Sequence, residues 1–200
     1  MNIAVFVSGR GSNLQALINA EEKNMLAPGE IKLVVCDKPG VYAIECAKLK
    51  GIPVFLLEGK GFESREAYDQ KIMEQLKERD IGLIVLAGFM RILSASFIER
   101  YRNRILNIHP ALLPDFKGAH GIKDAYEAGV KVTGVTVHFV TEELDSGPVI
   151  LQRCVEIDET DTLGSLEEKI HKEEHKLYPE AVKLFAEGRL LVEDGKVKVT

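Results

Sequence analysis

Strand-length apolar runs alternate with helix-length amphipathic segments through the first half of this chain, and that alternation limits the folds open to it. The runs are Ile3–Val7, Ile31–Cys36, Pro53–Leu57, Leu83–Ala87 and Arg104–Ile108. Between them lie Ser12–Lys23, Val41–Lys50 (closed by Gly51) and Ser64–Arg79, in which Tyr68, Ile72, Met73 and Leu76 recur at helical spacing. Runs that stay apolar instead of alternating are buried on both faces, which is the condition of a parallel sheet covered by helices on each side. The pattern predicts an α/β chain with a doubly wound, Rossmann-like three-layer α/β/α architecture.

The second half changes character. Val132–Val140 is rich in β-branched residues, and Val149–Ile157 follows it across Asp145-Ser146-Gly147-Pro148. Two strands joined by a Gly/Pro turn predict an antiparallel addition to the mostly parallel sheet. Leu163–Glu187 reads as a long amphipathic helix, and Leu190–Val192 with Val197–Val199 as a hairpin around Asp194-Gly195. Neither repeat nor linker interrupts the chain, so residues 1–200 read as one domain.

Charge narrows the partners. With 26 Lys and Arg against 31 Asp and Glu the formal net charge is −5. Such a chain has no basic footprint for nucleic acid or an anionic membrane. Small-molecule ligands are the expectation, and an anionic one must be held by local groups. No apolar run approaches the ~20 residues that span a bilayer. Cys36, Cys46 and Cys154 are widely spaced and match no zinc or CxxC pattern, which suits reduced thiols in the cytoplasm and predicts no metal.

Two stretches carry chemistry. Ser8-Gly9-Arg10-Gly11-Ser12-Asn13 joins the first strand to the first helix, where glycines permit a tight turn and free N–H groups attract phosphate. Ser12 or Asn13 is placed to cap that helix or to donate to a phosphate oxygen. Gly9-x-Gly11 with Asp37 also imitates a dinucleotide fingerprint, but Leu14 stands where the third glycine would be. The residues alone leave phosphate monoester, dinucleotide and plain structural turn open.

The second stretch is Asn107-Ile-His109-Pro110, read with Leu144-Asp145-Ser-Gly147-Pro148. Asn107 and His109 stand two apart at a strand end, so both side chains face one crevice. An amide N–H and an imidazolium can stabilise the oxyanion that forms when an amine attacks a carbonyl. A carboxylate beside the imidazole orients it and favours its charged form. The alternative is three unremarkable turn residues. No Ser or Cys occupies a nucleophile elbow, so covalent catalysis has little support.

Four strings in order now resemble a known family. They are Val5-Phe-Val-Ser-Gly-Arg-Gly-Ser-Asn-Leu-Gln15, Leu86-Ala-Gly-Phe-Met-Arg-Ile-Leu93, Asn107-Ile-His-Pro-Ala-Leu-Leu-Pro114 and His138-Phe-Val with Leu144-Asp-Ser-Gly-Pro-Val149. Together with Glu174-His175 and Tyr178-Pro179 they resemble the phosphoribosylglycinamide formyltransferases, folate-dependent enzymes of purine synthesis. The resemblance implies formyl transfer from 10-formyltetrahydrofolate, as co-substrate, to the amine of glycinamide ribonucleotide through a tetrahedral intermediate. It implies that Asn107 and His109 hold the oxyanion, with His109 the proton donor and Asp145 its orienting carboxylate. Gly11, Ser12, Asn13 and Glu174 would bind the ribonucleotide. Arg65, Met90, Arg91, Ile92, Leu93 and Asn107 would bind the folate. The nucleotide-binding half would cover about 1–100 and the folate and catalytic half about 101–200.

Without the family, Arg65 reads as a solvated helix position, Met90 and Leu93 as core, and Glu174 as one charge on a helix face. His171 and His175 read as structural or exposed, and His120 and His138 carry no claim of their own. The 115–123 loop departs most from the family pattern, at Gly121 and the neighbouring lysines. Other users of 10-formyltetrahydrofolate, whether transferases or hydrolases, share this core; a tRNA-directed relative carries an RNA-binding extension and a hydrolase a regulatory one, neither of which is expected here. A non-catalytic nucleotide-binding module and a dehydrogenase are the readings from other classes. Both monomer and homodimer fit the sequence.

Overall fold

The computed structural model describes residues 1–200. Seven strands form one sheet: β1 (Asn2–Val7), β2 (Glu30–Cys36), β3 (Val54–Leu56), β4 (Ile81–Leu86), β5 (Ile105–His109), β6 (Val132–Phe139) and β7 (Val149–Glu156). Their order is β3-β2-β1-β4-β5-β6-β7. The first five run parallel, β6 is antiparallel to β5, and β7 is antiparallel to β6. The anticipated α/β architecture with its antiparallel addition is therefore the observed one. The hairpin β8 (Leu190–Glu193) and β9 (Lys196–Val199) forms a separate small sheet.

Successive residues of the central strands point to opposite faces, and both faces are covered. Ile3, Val5 and Val7 of β1 enter the larger core, and Ala4 and Phe6 enter the smaller one. Helices α1 (Ser12–Glu22), α2 (Tyr42–Leu49), α5 (Gly121–Glu127) and α6 (Leu163–Ala186) cover the first face. Helices α3 (Arg65–Glu78) and α4 (Ala95–Arg100) cover the second. Continuous apolar strands thus follow from two-sided burial.

Two short helices were not anticipated. α4 has six residues and begins where the Ser94 hydroxyl accepts from the Phe97 N–H at 3.3 Å. α5 begins at Gly121, inside the stretch read as loop. Neither is long enough to declare a 3.6-residue period.

Two features aim the fold at one place. The strand order reverses between β1 and β4, and a crevice opens at such a switch point beyond the carboxyl ends of the strands. Tyr178 of α6 then ties the helix to that rim. Its hydroxyl is fully buried, 2.9 Å from the Leu86 carbonyl and 3.0 Å from that of Leu106. One helical turn earlier, the same face of α6 presents Glu174 to the crevice.

Candidate active site

A cleft of about 620 Å³ opens over the ends of β1, β4 and β5. The loop after β1 forms one wall, the loop after β4 another, and the 140–145 segment a third. A second hollow of about 730 Å³ lies at the opposite end of the sheet, near Glu21, Lys32 and Lys50. Its two lysines are already paired with Glu30 and Glu22, so it presents no free charged group of that kind.

The loop after β1 turns at Gly11, whose φ of +78° lies in the left-handed region. A Cβ there would stand 2.7 Å from the Ala43 Cβ, so only glycine fits between strand end and α2. Gly11 itself is the N-cap of α1. The capping foreseen for Ser12 or Asn13 does not occur: no side chain caps this helix, and Gly11, Ser12 and Asn13 line the cleft. Asn13 instead turns back, its Nδ2 donating to Glu174 Oε2 at 3.3 Å, while its buried Oδ1 finds no partner.

Glu174 departs from the bland expectation of a solvated charge, being 4% exposed. Its Oε2 also accepts from His171 Nδ1 at 2.8 Å. That bond holds the His171 imidazole above its ordinary pKa, and burial opposes it. His171 is exposed, in keeping with its reading from sequence, and it lines the cleft. His175 stacks against it at 6.5 Å, is pushed down by burial, and keeps a buried Nε2 without a partner.

Asn107, His109 and Asp145 meet in the middle of the cleft. His109 Nδ1 lies 3.5 Å from Asp145 Oδ2, an ion-pair distance longer than a direct hydrogen bond. Its Nε2 lies 2.8 Å from the Phe116 carbonyl. Both ring nitrogens thus face oxygens, one of a carboxylate and one of a backbone carbonyl. Asp145 sits at a φ of +48°, and its Oδ2 accepts from the Gly118 N–H at 2.8 Å, fastening the 115–120 loop over the pair.

Sequence reasoning missed His138. It pairs with Asn107 across β5 and β6, and its Nε2 lies 3.2 Å from Asn107 Nδ2 and 3.7 Å from Asp145 Oδ1. Its Nδ1 donates to the Phe139 carbonyl at 2.8 Å. Burial, the largest influence, lowers its pKa and keeps the ring neutral. A neutral ring with a protonated Nδ1 accepts at Nε2, which orients the Asn107 amide N–H groups. The signal available was a lone imidazole inside the apolar run Val137–Phe139, in register with Asn107.

The loop after β4 supplies the apolar side. Met90 and Ile92 are 66% and 63% exposed, Leu93 is buried, and the Met90 N–H donates to Ser8 Oγ at 2.8 Å. Arg91 lines the cleft with its guanidinium 4.2 Å above the Tyr68 ring. Arg65, the remaining folate candidate, is exposed at the start of α3 and does not line the cleft. Cys36, Cys46 and Cys154 are free thiols. No group of three or more His, Cys, Asp or Glu side chains gathers to hold a metal ion, and no helix is long and apolar enough to cross a membrane.

An amide, an imidazole and a carboxylate thus lie between a glycine-rich loop and an apolar wall, in a chain whose family is that of group transferases. Residues 1–182 match the family model described as formyl transferase, and the chain belongs to that family. It is 47% identical over 173 residues to the phosphoribosylglycinamide formyltransferase of Bacillus subtilis, covering 86% of this chain and 88% of that one. It is 44% identical to part of the human trifunctional purine biosynthetic protein adenosine-3, covering 86% of this chain but 17% of that larger protein. The crystal structure of glycinamide ribonucleotide transformylase 1 from Symbiobacterium toebii superposes with a TM-score of 0.96 at 42% identity, over 100% of this chain and 93% of that one.

Proposed function

We propose that the protein transfers the formyl group of 10-formyltetrahydrofolate to the amine of glycinamide ribonucleotide, a step of purine biosynthesis. The observation that carries this reading is the central cluster: His109 and Asp145 at 3.5 Å, with the Asn107 amide oriented by His138 at 3.2 Å. It stands between a loop suited to phosphate and a wall suited to an apolar ring system.

The amine nitrogen attacks the formyl carbon, and the carbonyl oxygen gains charge. The free N–H of Asn107 and an N–H of His109 donate to that oxygen. In this arrangement the Phe116 carbonyl is the acceptor beside His109 Nε2. Substrate entry exchanges that oxygen for the developing oxyanion. Asp145 stabilises the imidazolium throughout. Collapse of the intermediate breaks the bond from formyl carbon to folate nitrogen. His109 donates its proton to that nitrogen as the bond breaks and then takes one from the former amine nitrogen, which restores the imidazolium and closes the proton count. Formylglycinamide ribonucleotide and tetrahydrofolate leave.

Gly11, Ser12 and Asn13 take the acceptor's phosphate at the uncapped start of α1. Glu174 and the unpartnered Asn13 Oδ1 accept from its ribose hydroxyls. Met90, Ile92 and Leu93 receive the donor's ring, with Arg91 beside them. Both halves of the chain contribute to each substrate's place, Met90–Leu93 from the first holding the donor and Glu174 from the second the ribonucleotide, and the reaction is a cytoplasmic one between small molecules. Following tetrahydrofolate release by absorbance tests this. Release requires both substrates together; release with the donor alone, or none with both, would remove the assignment.

A further inference from the structure

Arg91 is a cation without a counter-ion. No carboxylate lies within ion-pair distance of its guanidinium and no hydrogen-bond acceptor engages it; the structure holds it by shape. The Tyr68 ring lies 4.2 Å beneath it. Tyr68 is 1% exposed, so the packing around it fixes the ring, and its hydroxyl donates to the Leu57 carbonyl at 2.8 Å. The backbone of Gly59 also abuts it, so close that a Cβ there would stand 2.0 Å from Arg91 Nη1 and 2.4 Å from its Cζ. The nearby carboxylate, Asp69, is committed elsewhere: it is 1% exposed, and its Oδ2 accepts from the Ser94 N–H at 2.7 Å. Asp69 thereby also anchors the loop that carries Arg91.

A guanidinium packed on a ring face and against a bare backbone has spent conformational entropy before any ligand arrives. Its N–H donors stay available. Arg91 stands between the exposed Met90 and Ile92 on the cleft wall. This is a receptor for a ligand with an apolar body and an anionic end.

The geometry points to Gly59 and Tyr68 as positioning residues that clamp Arg91 for the carboxylate-bearing tail of the folate donor. The inference rests on the formyl-transfer reading above and adds what sets donor selection within it. Gly59 is glycine here because of the guanidinium, not because of its backbone, whose φ lies outside the left-handed region. An added methyl group meets the far end of a flexible side chain, so Gly59→Ala displaces Arg91 and leaves the fold in place.

The test compares two donors, 10-formyltetrahydrofolate and its counterpart lacking the glutamate tail, in wild type and in Gly59→Ala. Losing a charge-assisted contact raises KM for the glutamate-bearing donor roughly tenfold in the variant. The KM for glycinamide ribonucleotide and kcat stay within about twofold, the scatter expected where no transition-state contact changes. For the truncated donor, wild type and variant have the same KM. Tyr68→Leu, which keeps the core filled but removes the ring face, gives the same pattern, and Tyr68→Phe restores wild-type KM. Equal KM for the glutamate-bearing donor in wild type and Gly59→Ala would overturn the clamp. So would a loss that falls equally on both donors. Failure of the wild type to use either donor would instead defeat the formyl-transfer reading itself, which keeps the two failures apart.

Discussion

Replacing Asp145 by Asn separates charge from shape at the centre of the cleft. The variant keeps an oxygen to accept the Gly118 N–H, the bond made at 2.8 Å by the carboxylate, so the 115–120 loop stays fastened. What it loses is a negative charge 3.5 Å from His109 Nδ1. At that separation a full ion pair is worth about 1 kcal/mol in water-like surroundings and about 5 kcal/mol at an effective dielectric constant near 20. The pair is almost wholly buried, with side chains 4% and 7% exposed, so the upper part of that range applies. The proton-donating form of His109 carries the positive charge, so the variant makes that form costlier to populate, and roughly half of the pair's worth is lost, the rest being recovered from solvent and neighbouring dipoles. At about 1.4 kcal/mol per decade, kcat is expected to fall on the order of 100-fold. The donor KM is expected to move no more than about threefold, because the variant's volume and acceptor are retained. Initial rates over a grid of both substrates measure the split. Unchanged kcat, or a loss confined to KM, would refute the electrostatic role of Asp145.

Glu174→Gln removes the charge that holds His171 up. With the carboxylate present, the imidazole titrates above its ordinary 6.5. The pair's stabilisation is therefore complete below 6.5 and fades as pH rises through the raised value. An NMR titration of His171 is expected to show the midpoint fall toward 6.5 in the variant; an unmoved midpoint contradicts the pairing. Gly11→Ala forces a side chain into a φ of +78° and against Ala43. It is expected to cost about 1–3 kcal/mol in denaturant unfolding and to raise KM for the ribonucleotide more than for the donor. Tyr178→Phe deletes the hydroxyl that spans the Leu86 and Leu106 carbonyls. A loss of about 1–3 kcal/mol in unfolding free energy is expected.

The sheet was readable from sequence because two-sided burial leaves continuous apolar runs, and the antiparallel β6 and β7 because a Gly/Pro turn separates two β-branched stretches. The cleft was readable in part. Asn107 and His109 declared themselves by i, i+2 spacing at a strand end. His138 did not, because its role depends on cross-strand register with Asn107, which no local pattern encodes. Glu174 and His171 looked like ordinary helix charges until Tyr178 fixed which face of α6 meets the rim. Arg91 was assigned by family resemblance alone; the Gly59 and Tyr68 that hold it come from two other segments of the chain. Local periodicity reports burial, and it is silent on which buried polar atoms meet.

The central claim is that this cleft passes a formyl group to a phosphorylated amine and not to water. A donor carrying isotopically labelled formyl, offered with glycinamide ribonucleotide, with its dephosphorylated counterpart, or with no acceptor, tests it directly. Label is expected in formylglycinamide ribonucleotide, with little transfer to the phosphate-free acceptor and no appreciable free formate. Label released mainly as formate, or transferred equally well to the acceptor without phosphate, would contradict the account.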